Sequence, residues 1–179
     1  MHRREGLSAD ERQDGARALA ETGLDFLKPA ASATVSAFAA IGDEINPLPL
    51  LKKLHGNGHR LGLPVVLARN QPLIFRLWSP GDPLVRAGFG LRVPDESAEE
   101  VTPGILLVPL LAFDGRGYRL GYGGGYFDRT LALLRAKDHV TAIGLAFDIQ
   151  KVDDVPHADY DERLDWVLTP SGPHKFERA

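Results

Sequence analysis

The chain has 179 residues with 19 Gly, 13 Pro and no Cys, and its 21 Lys plus Arg against 24 Asp plus Glu leave a net charge of −3 with neutral His. That composition describes one globular domain, excludes disulfides, thiolate catalysis and Cys-ligated zinc, and lacks the basic excess of a dedicated nucleic-acid binder. The longest apolar run, 105–113, is interrupted by Pro109, far short of the roughly 20 residues a membrane-crossing helix needs. No apolar run follows the basic Met1-His2-Arg3-Arg4 start, so a cytoplasmic protein without a signal peptide is expected.

Ser8-Ala9-Asp10-Glu11 reads as a capping box, and Ala16, Leu19, Ala20, Leu24 and Leu27 follow at helical spacing towards Pro29. Residues 34–40 read as a short buried strand. Asn46-Pro47 opens a second helix whose apolar face is Leu48, Leu50, Leu51 and Leu54, stopped by Gly56-Asn57-Gly58. Residues 61–67 and 73–78 read as strands, with Pro64 arguing against a central place for the first. Residues 79–104, with four prolines, read as a long surface excursion. Residues 105–108 are continuously apolar, as in a strand covered on both faces. A third helix follows around Phe127, Leu131 and Leu134, then strands at 140–147 and 166–169, and a polar tail from Pro170. Strands alternating with helices predict a single domain over 1–179 of α/β class, a three-layer α/β/α arrangement with a largely parallel or mixed sheet.

Between the apolar strand and the third helix stand Arg119-Leu120-Gly121-Tyr122-Gly123-Gly124-Gly125-Tyr126-Phe127-Asp128-Arg129. Glycines there turn successive main-chain N–H groups towards one point, and the following helix start adds its positive dipole end, so the segment suits a phosphate. Arg119 offers a guanidinium for phosphate oxygens, and Asp128 a carboxylate for Mg²⁺. The spacing is neither that of a Walker A loop nor that of a Rossmann fingerprint. The bland alternative is a glycine-rich turn followed by a first-turn helix acid.

The string Val108-Pro109, Ala112-Phe113-Asp114, Arg119-Leu120-Gly121, Gly123-Gly124-Gly125-Tyr126-Phe127-Asp128-Arg129 resembles the signature of the 5-formyltetrahydrofolate cyclo-ligase family, as do Asp43-Glu44-Ile45, Leu63-Pro64, Phe75-Arg76 with Trp78, and Gly144-Leu145-Ala146-Phe147. The resemblance spans roughly residues 8–169. It implies ATP-dependent cyclisation of 5-formyltetrahydrofolate to 5,10-methenyltetrahydrofolate, with ATP and Mg²⁺ as cofactors, and a monomer or weak homodimer without nucleic-acid or membrane partners. It further implies that Arg119, Leu120, Gly121, Tyr122, Gly123, Gly124, Gly125, Tyr126 and Phe127 cradle ATP. Glu44, Tyr122, Gly123, Gly124, Gly125 and Tyr126 would border the folate, Arg119 and Tyr126 would be catalytic, and Asp128 and Asp161 would be metal ligands. Taken singly, Glu44 is a solvated or first-turn acid, Asp161 one member of an acidic face, His157 a surface residue, and Phe75 and Trp78 core.

The chain departs from the family in three single positions, Phe127 for Tyr, Gly104 for Asp and Tyr160 for His. A larger departure concerns the start. Aligning Ser8-Ala9-Asp10-Glu11-Arg12 with the family's Ser-x-x-Glu-Arg segment puts the family's phosphate-binding Lys and Arg upstream of Met1, and leaves Arg3, Arg4 and Arg12 as solvated helix charges. That absence motivates an alternative, a non-catalytic folate- or nucleotide-binding paralogue. A sugar-phosphate isomerase on a similar scaffold rests on fold analogy alone.

Overall fold

A computed structural model describes residues 2–30 and 32–177. Seven strands form one sheet in the order β11-β10-β9-β6-β1-β2-β3. β1 (Thr34–Ser36), β2 (Arg60–Val65), β6 (Ile105–Pro109), β9 (Thr141–Leu145) and β10 (Trp166–Thr169) run parallel, and the edges β3 (Ile74–Leu77) and β11 (Gly172–Lys175) run antiparallel to them. The sheet is therefore mixed only at its margins.

Period-two alternation sorts the apolar residues of the central strands between two faces. Val35, Leu61, Ile105, Leu107 and Ile143 pack with Leu19 of α2 (Ala9–Thr22) and Leu50, Leu51 and Leu54 of α3 (Leu48–Gly56). Leu106, Val108, Ala142 and Val167 pack with Leu131 of α4 (Tyr126–Arg135). Three layers result.

The predicted capping box is present: Ser8 Oγ accepts from Glu11 N at 3.2 Å, and Ser8 N donates to Glu11 Oε2 at 2.7 Å. α2 stops at Gly23 rather than near Pro29, and a 3₁₀ turn, Asp25–Leu27, takes the chain onward. α3 starts one residue after Pro47, with Asn46 Oδ1 accepting from Leu48 N. Pro64 lies opposite Phe75 of the edge strand, so β2 is one place in from the margin. The excursion at 79–104 carries a small hairpin, β4 (Val85–Arg86) with β5 (Arg92–Val93), and its end covers β3 through Leu77 N to Glu99 O and Val101 N to Phe75 O. Besides that hairpin, the sequence reading missed the helix α1 (His2–Glu5), the hairpin β7 (Ala112–Phe113) with β8 (Arg119–Leu120), and the edge strand β11.

The β7–β8 hairpin feeds the glycine segment, and one buried carboxylate fixes its turn. Asp114 is fully buried. Its Oδ1 accepts from Arg116 N and Tyr118 N, and its Oδ2 from Arg116 Nε and Nη2 and from Val155 N. Burial alone would push its pKa up, but the Arg116 side chain and the amides of Val155, Arg116 and Tyr118 outweigh burial and hold it below the usual carboxylate value. A depressed carboxylate contributes stability that is present above its unfolded pKa and lost as pH falls through the folded one. We expect Asp114→Asn to lower stability by about 2 kcal/mol at pH 7. In urea unfolding the gap to wild type should shrink as pH drops below the ordinary carboxylate range; a gap independent of pH would contradict this role.

Candidate active site

The chain leaves β1 through α3 to β2 on one side, and leaves β6 through α4 to β9 on the other. β1 and β6 are neighbours whose outgoing connections diverge, and in parallel sheets such a switch point opens a crevice beyond the carboxyl ends of the strands. The segment after β1 carries Glu44, and the hairpin after β6 leads to the glycine segment. Two predicted site regions far apart in sequence thus share one crevice.

Gly121, Gly123 and Gly124 are exposed, and Gly123 (φ +83°) and Gly125 (φ +61°) hold left-handed backbone that side chains disfavour. A Cβ on Gly124 would lie 2.8 Å from the Tyr126 ring, and one on Gly125 2.8 Å from Arg129 Nη1. Gly125 is the N-cap of α4 and brings no side chain to its first-turn amides. These amides face the loop without an internal partner, as helix starts do. Arg129 Nη2 donates to Gly124 O and its guanidinium lies 5.3 Å from the Tyr126 ring centroid, which steadies the far side of the loop. Tyr126 and Phe127 are half-buried against the α4 side of the core, and Leu120 is exposed.

Glu44 is buried, not solvated. Its Oε2 accepts from Ile41 N at 2.8 Å, and its Oε1 accepts from the Tyr122 hydroxyl at 2.7 Å. Beside it lies a 420 Å³ cleft walled by Phe38, Leu51, Leu63, Trp78 and Leu84, within the size range of small-ligand pockets. Trp78 therefore serves both core and cleft, while Phe75 is core only. Phe38, Leu63 and Leu84 were not anticipated as cleft walls.

Arg4 corrects an expectation. It is 3 % exposed rather than solvated, because α1 folds its side chain beneath the crevice. Nη1 donates to Leu110 O at 3.3 Å, and Nη2 reaches the Tyr122 hydroxyl at 3.2 Å and Asp43 Oδ1 at 3.0 Å. The short, charged stretch around Arg4 carries no periodic signal of this burial. The side chain of Arg3 lies outside the described residues.

Arg119 is also placed differently from expectation. Its side chain is 5 % exposed, with Nη2 on Asp128 Oδ1 at 2.8 Å and Nη1 on Glu162 O. The same Asp128 Oδ1 accepts from Glu162 N at 3.1 Å. Asp161 stands next to that contact, its Oδ2 closing a turn onto Ala158 N at 2.7 Å. Asp128 Oδ2 and Asp161 Oδ1 remain outside these bonds. Two hard oxygen donors suit Mg²⁺, which usually keeps waters and phosphate oxygens as its other ligands; among the described residues no group of three metal-binding side chains assembles. His157 is exposed and stacks on Tyr118 at 3.7 Å. It borders a wider, open 640 Å³ depression with Arg116, Arg163 and Lys175. Lys175 pairs with the start of β10, away from the strands' carboxyl ends, and Arg116 and Arg163 are bonded to neighbouring chain.

The model of the 5-formyltetrahydrofolate cyclo-ligase family matches residues 1–170. The chain belongs to this family. It is 32 % identical over 176 residues to the 5-formyltetrahydrofolate cyclo-ligase of Escherichia coli K12, covering 94 % of this chain and 95 % of that one. It is 39 % identical over 149 residues to the Mycolicibacterium smegmatis cyclo-ligase, covering 76 % and 73 %. The solution structure of Aquifex aeolicus 5,10-methenyltetrahydrofolate synthetase superposes with a TM-score of 0.75 at 27 % identity, over 99 % of this chain and 89 % of that one. The Mycoplasma pneumoniae synthetase shares the fold, with a TM-score of 0.73 at 24 % identity over 94 % and 93 %. The Tyr122 hydroxyl brings the glycine loop into contact with the acid that lines the cleft.

Burial pushes the Tyr122 phenol above the ordinary tyrosine value of 10.0; the Arg4 hydrogen bond works against that shift and the Glu44 hydrogen bond adds to it. A raised phenol contributes stability that is present below its unfolded pKa and lost as pH rises through the folded value. The wild-type minus Tyr122→Phe difference in ultraviolet titration should therefore have its midpoint above 10.0. A midpoint below that value would mean that Tyr122 is not held in this network.

Proposed function

We propose that this chain uses ATP to close 5-formyltetrahydrofolate into 5,10-methenyltetrahydrofolate, releasing ADP and phosphate. The observation that supports the reading is the 2.7 Å bond from the Tyr122 hydroxyl to Glu44, which brings the glycine loop to the acid lining a 420 Å³ cleft.

The chemistry needs a poor electrophile made reactive. The formyl oxygen on N5 attacks the γ-phosphorus, ADP leaves, and the N5 lone pair shifts to give an iminium-like carbon. N10 attacks that carbon, loses its proton, and phosphate departs with the former formyl oxygen. Such phosphoryl transfer depends on positioning and charge stabilisation, and N10 is already tethered to its target. The bare amides from Gly121 to Gly125 and the start of α4 are the groups proposed to receive phosphate oxygens, with Leu120, Tyr126 and Phe127 flanking them. Tyr126, the first residue of α4, carries a hydroxyl, and its proposed role is to border the reacting centre. Glu44 would accept N–H groups of the aminopyrimidinone, each carboxylate oxygen having capacity beyond the bond it already makes. Phe38, Leu63 and Trp78 would enclose the ring and exclude water.

Arg119 has its guanidinium on Asp128 and Glu162, so its proposed role is to hold Asp128 and the 158–162 turn in place, with direct phosphate contact requiring that pair to open. Asp128 and Asp161 are the proposed Mg²⁺ ligands, and the ion would supply neutralisation of phosphate charge. The alternative of a non-catalytic paralogue was motivated by a missing cation near the loop. Arg4, buried beside Tyr122, weakens that motive.

Purified protein with 5-formyltetrahydrofolate, ATP and Mg²⁺ should generate methenyltetrahydrofolate absorbance, with none when ATP is omitted. Glu44→Gln should reduce kcat/KM for the folate on the order of 10- to 100-fold, from about 1.5–3 kcal/mol per charged hydrogen bond. No turnover by folded wild type, or full activity in Glu44→Gln, would refute the assignment.

A further inference from the structure

The hydroxyl of Tyr122 joins the glycine loop to the acid at the cleft. Tyr122 stands among Gly121, Gly123 and Gly124, none of which has a side chain to anchor the loop. Its ring is largely exposed, yet its oxygen is engaged twice. The polarity of that chain is fixed by chemistry. Arg4 only donates, and ionised Glu44 only accepts, so the phenol accepts from Arg4 Nη2 and gives its single proton to Glu44 Oε1. On the other side, Glu44 Oε2 is held by Ile41 N, and Glu44 N donates to Ile41 O. One hydroxyl thus links the acid at the cleft to the glycine loop.

Resting on the cyclo-ligase reading, we propose that Tyr122 is a positioning residue whose hydroxyl couples nucleotide binding at the glycine loop to folate binding at Glu44. Phosphate on the loop amides would favour the loop position seen here, in which Tyr122 holds the Glu44 carboxylate for the pterin. The second ligand then meets a site already arranged by the first, and the gain is reciprocal. Arg4 shares this role by fixing the acceptor side of the phenol and by pairing with Asp43 next to Glu44.

The test is calorimetry on the full chain. 5-Formyltetrahydrofolate is titrated with and without a non-hydrolysable ATP analogue and Mg²⁺, in wild type, Tyr122→Phe and Tyr122→Met, each first shown to fold by its melting transition. In wild type the analogue should tighten folate binding on the order of tenfold, and folate should tighten the analogue by the same factor. In both variants that ratio should fall to about one, whatever happens to the separate affinities. A wild-type ratio of one, or an unchanged ratio in the variants, overturns the coupling while leaving the cyclo-ligase reading intact. Failure of folded wild type to bind either ligand alone overturns the reading itself, and the coupling with it.

Discussion

Between β8 and α4 the main chain carries one side chain, that of Tyr122, among four glycines. Gly123 and Gly125 take up left-handed backbone, and a Cβ on Gly124 would press on the Tyr126 ring. The segment is nevertheless not free to wander. Asp114 pins the hairpin that delivers it, Arg129 holds Gly124 O from the helix, and Arg119 with Asp128 ties the first turn of α4 to the 158–162 turn. The proposed phosphate site rests on what the sequence leaves out and on charged pairs that hold the frame around it.

The sheet topology supplies the rest. Because β1 and β6 are adjacent while their connections diverge, the loop bearing Glu44 and the loop bearing Gly121 to Gly125 must open onto one crevice. A membership shared with cyclo-ligases of Escherichia coli and Mycolicibacterium smegmatis fits that arrangement. The apolar cleft and the glycine loop are different chemical surfaces, the one suited to a flat ring under the proposed function and the other to phosphate. They touch through Tyr122 and Glu44.

The parts legible in the sequence were those with a local cause. The glycine cluster, the Ser8 capping box and the unbroken apolar run of β6 announce themselves within a few residues. The parts that stayed hidden have causes elsewhere in the chain. β11 is polar and contains Pro173, and only pairing with β10 makes it a strand. The β7–β8 hairpin has two residues per strand, too few for a pattern. Arg4 sits in a helix of four residues charged nearly throughout, and its burial is set by Leu110, Asp43 and Tyr122. Phe38 and Leu63 read as ordinary core because a cleft wall and a core residue look alike until the opposite wall is placed. Arg119 and Asp128 are separated by the whole glycine loop, and the bend that brings them to 2.8 Å is a property of the fold.

The most direct measurement of the amide cradle is a nucleotide titration followed by ¹⁵N–¹H correlation spectra. Glycine amides resonate apart from most others, so Gly121, Gly123, Gly124 and Gly125 can be followed individually. Adding ATP analogue with Mg²⁺ should move these four and the amides of Tyr126 and Phe127 more than those of the open depression around Gly115 and Arg116. Saturating nucleotide that leaves the four glycines where they were, while shifting other regions, would show that the triphosphate is held somewhere else.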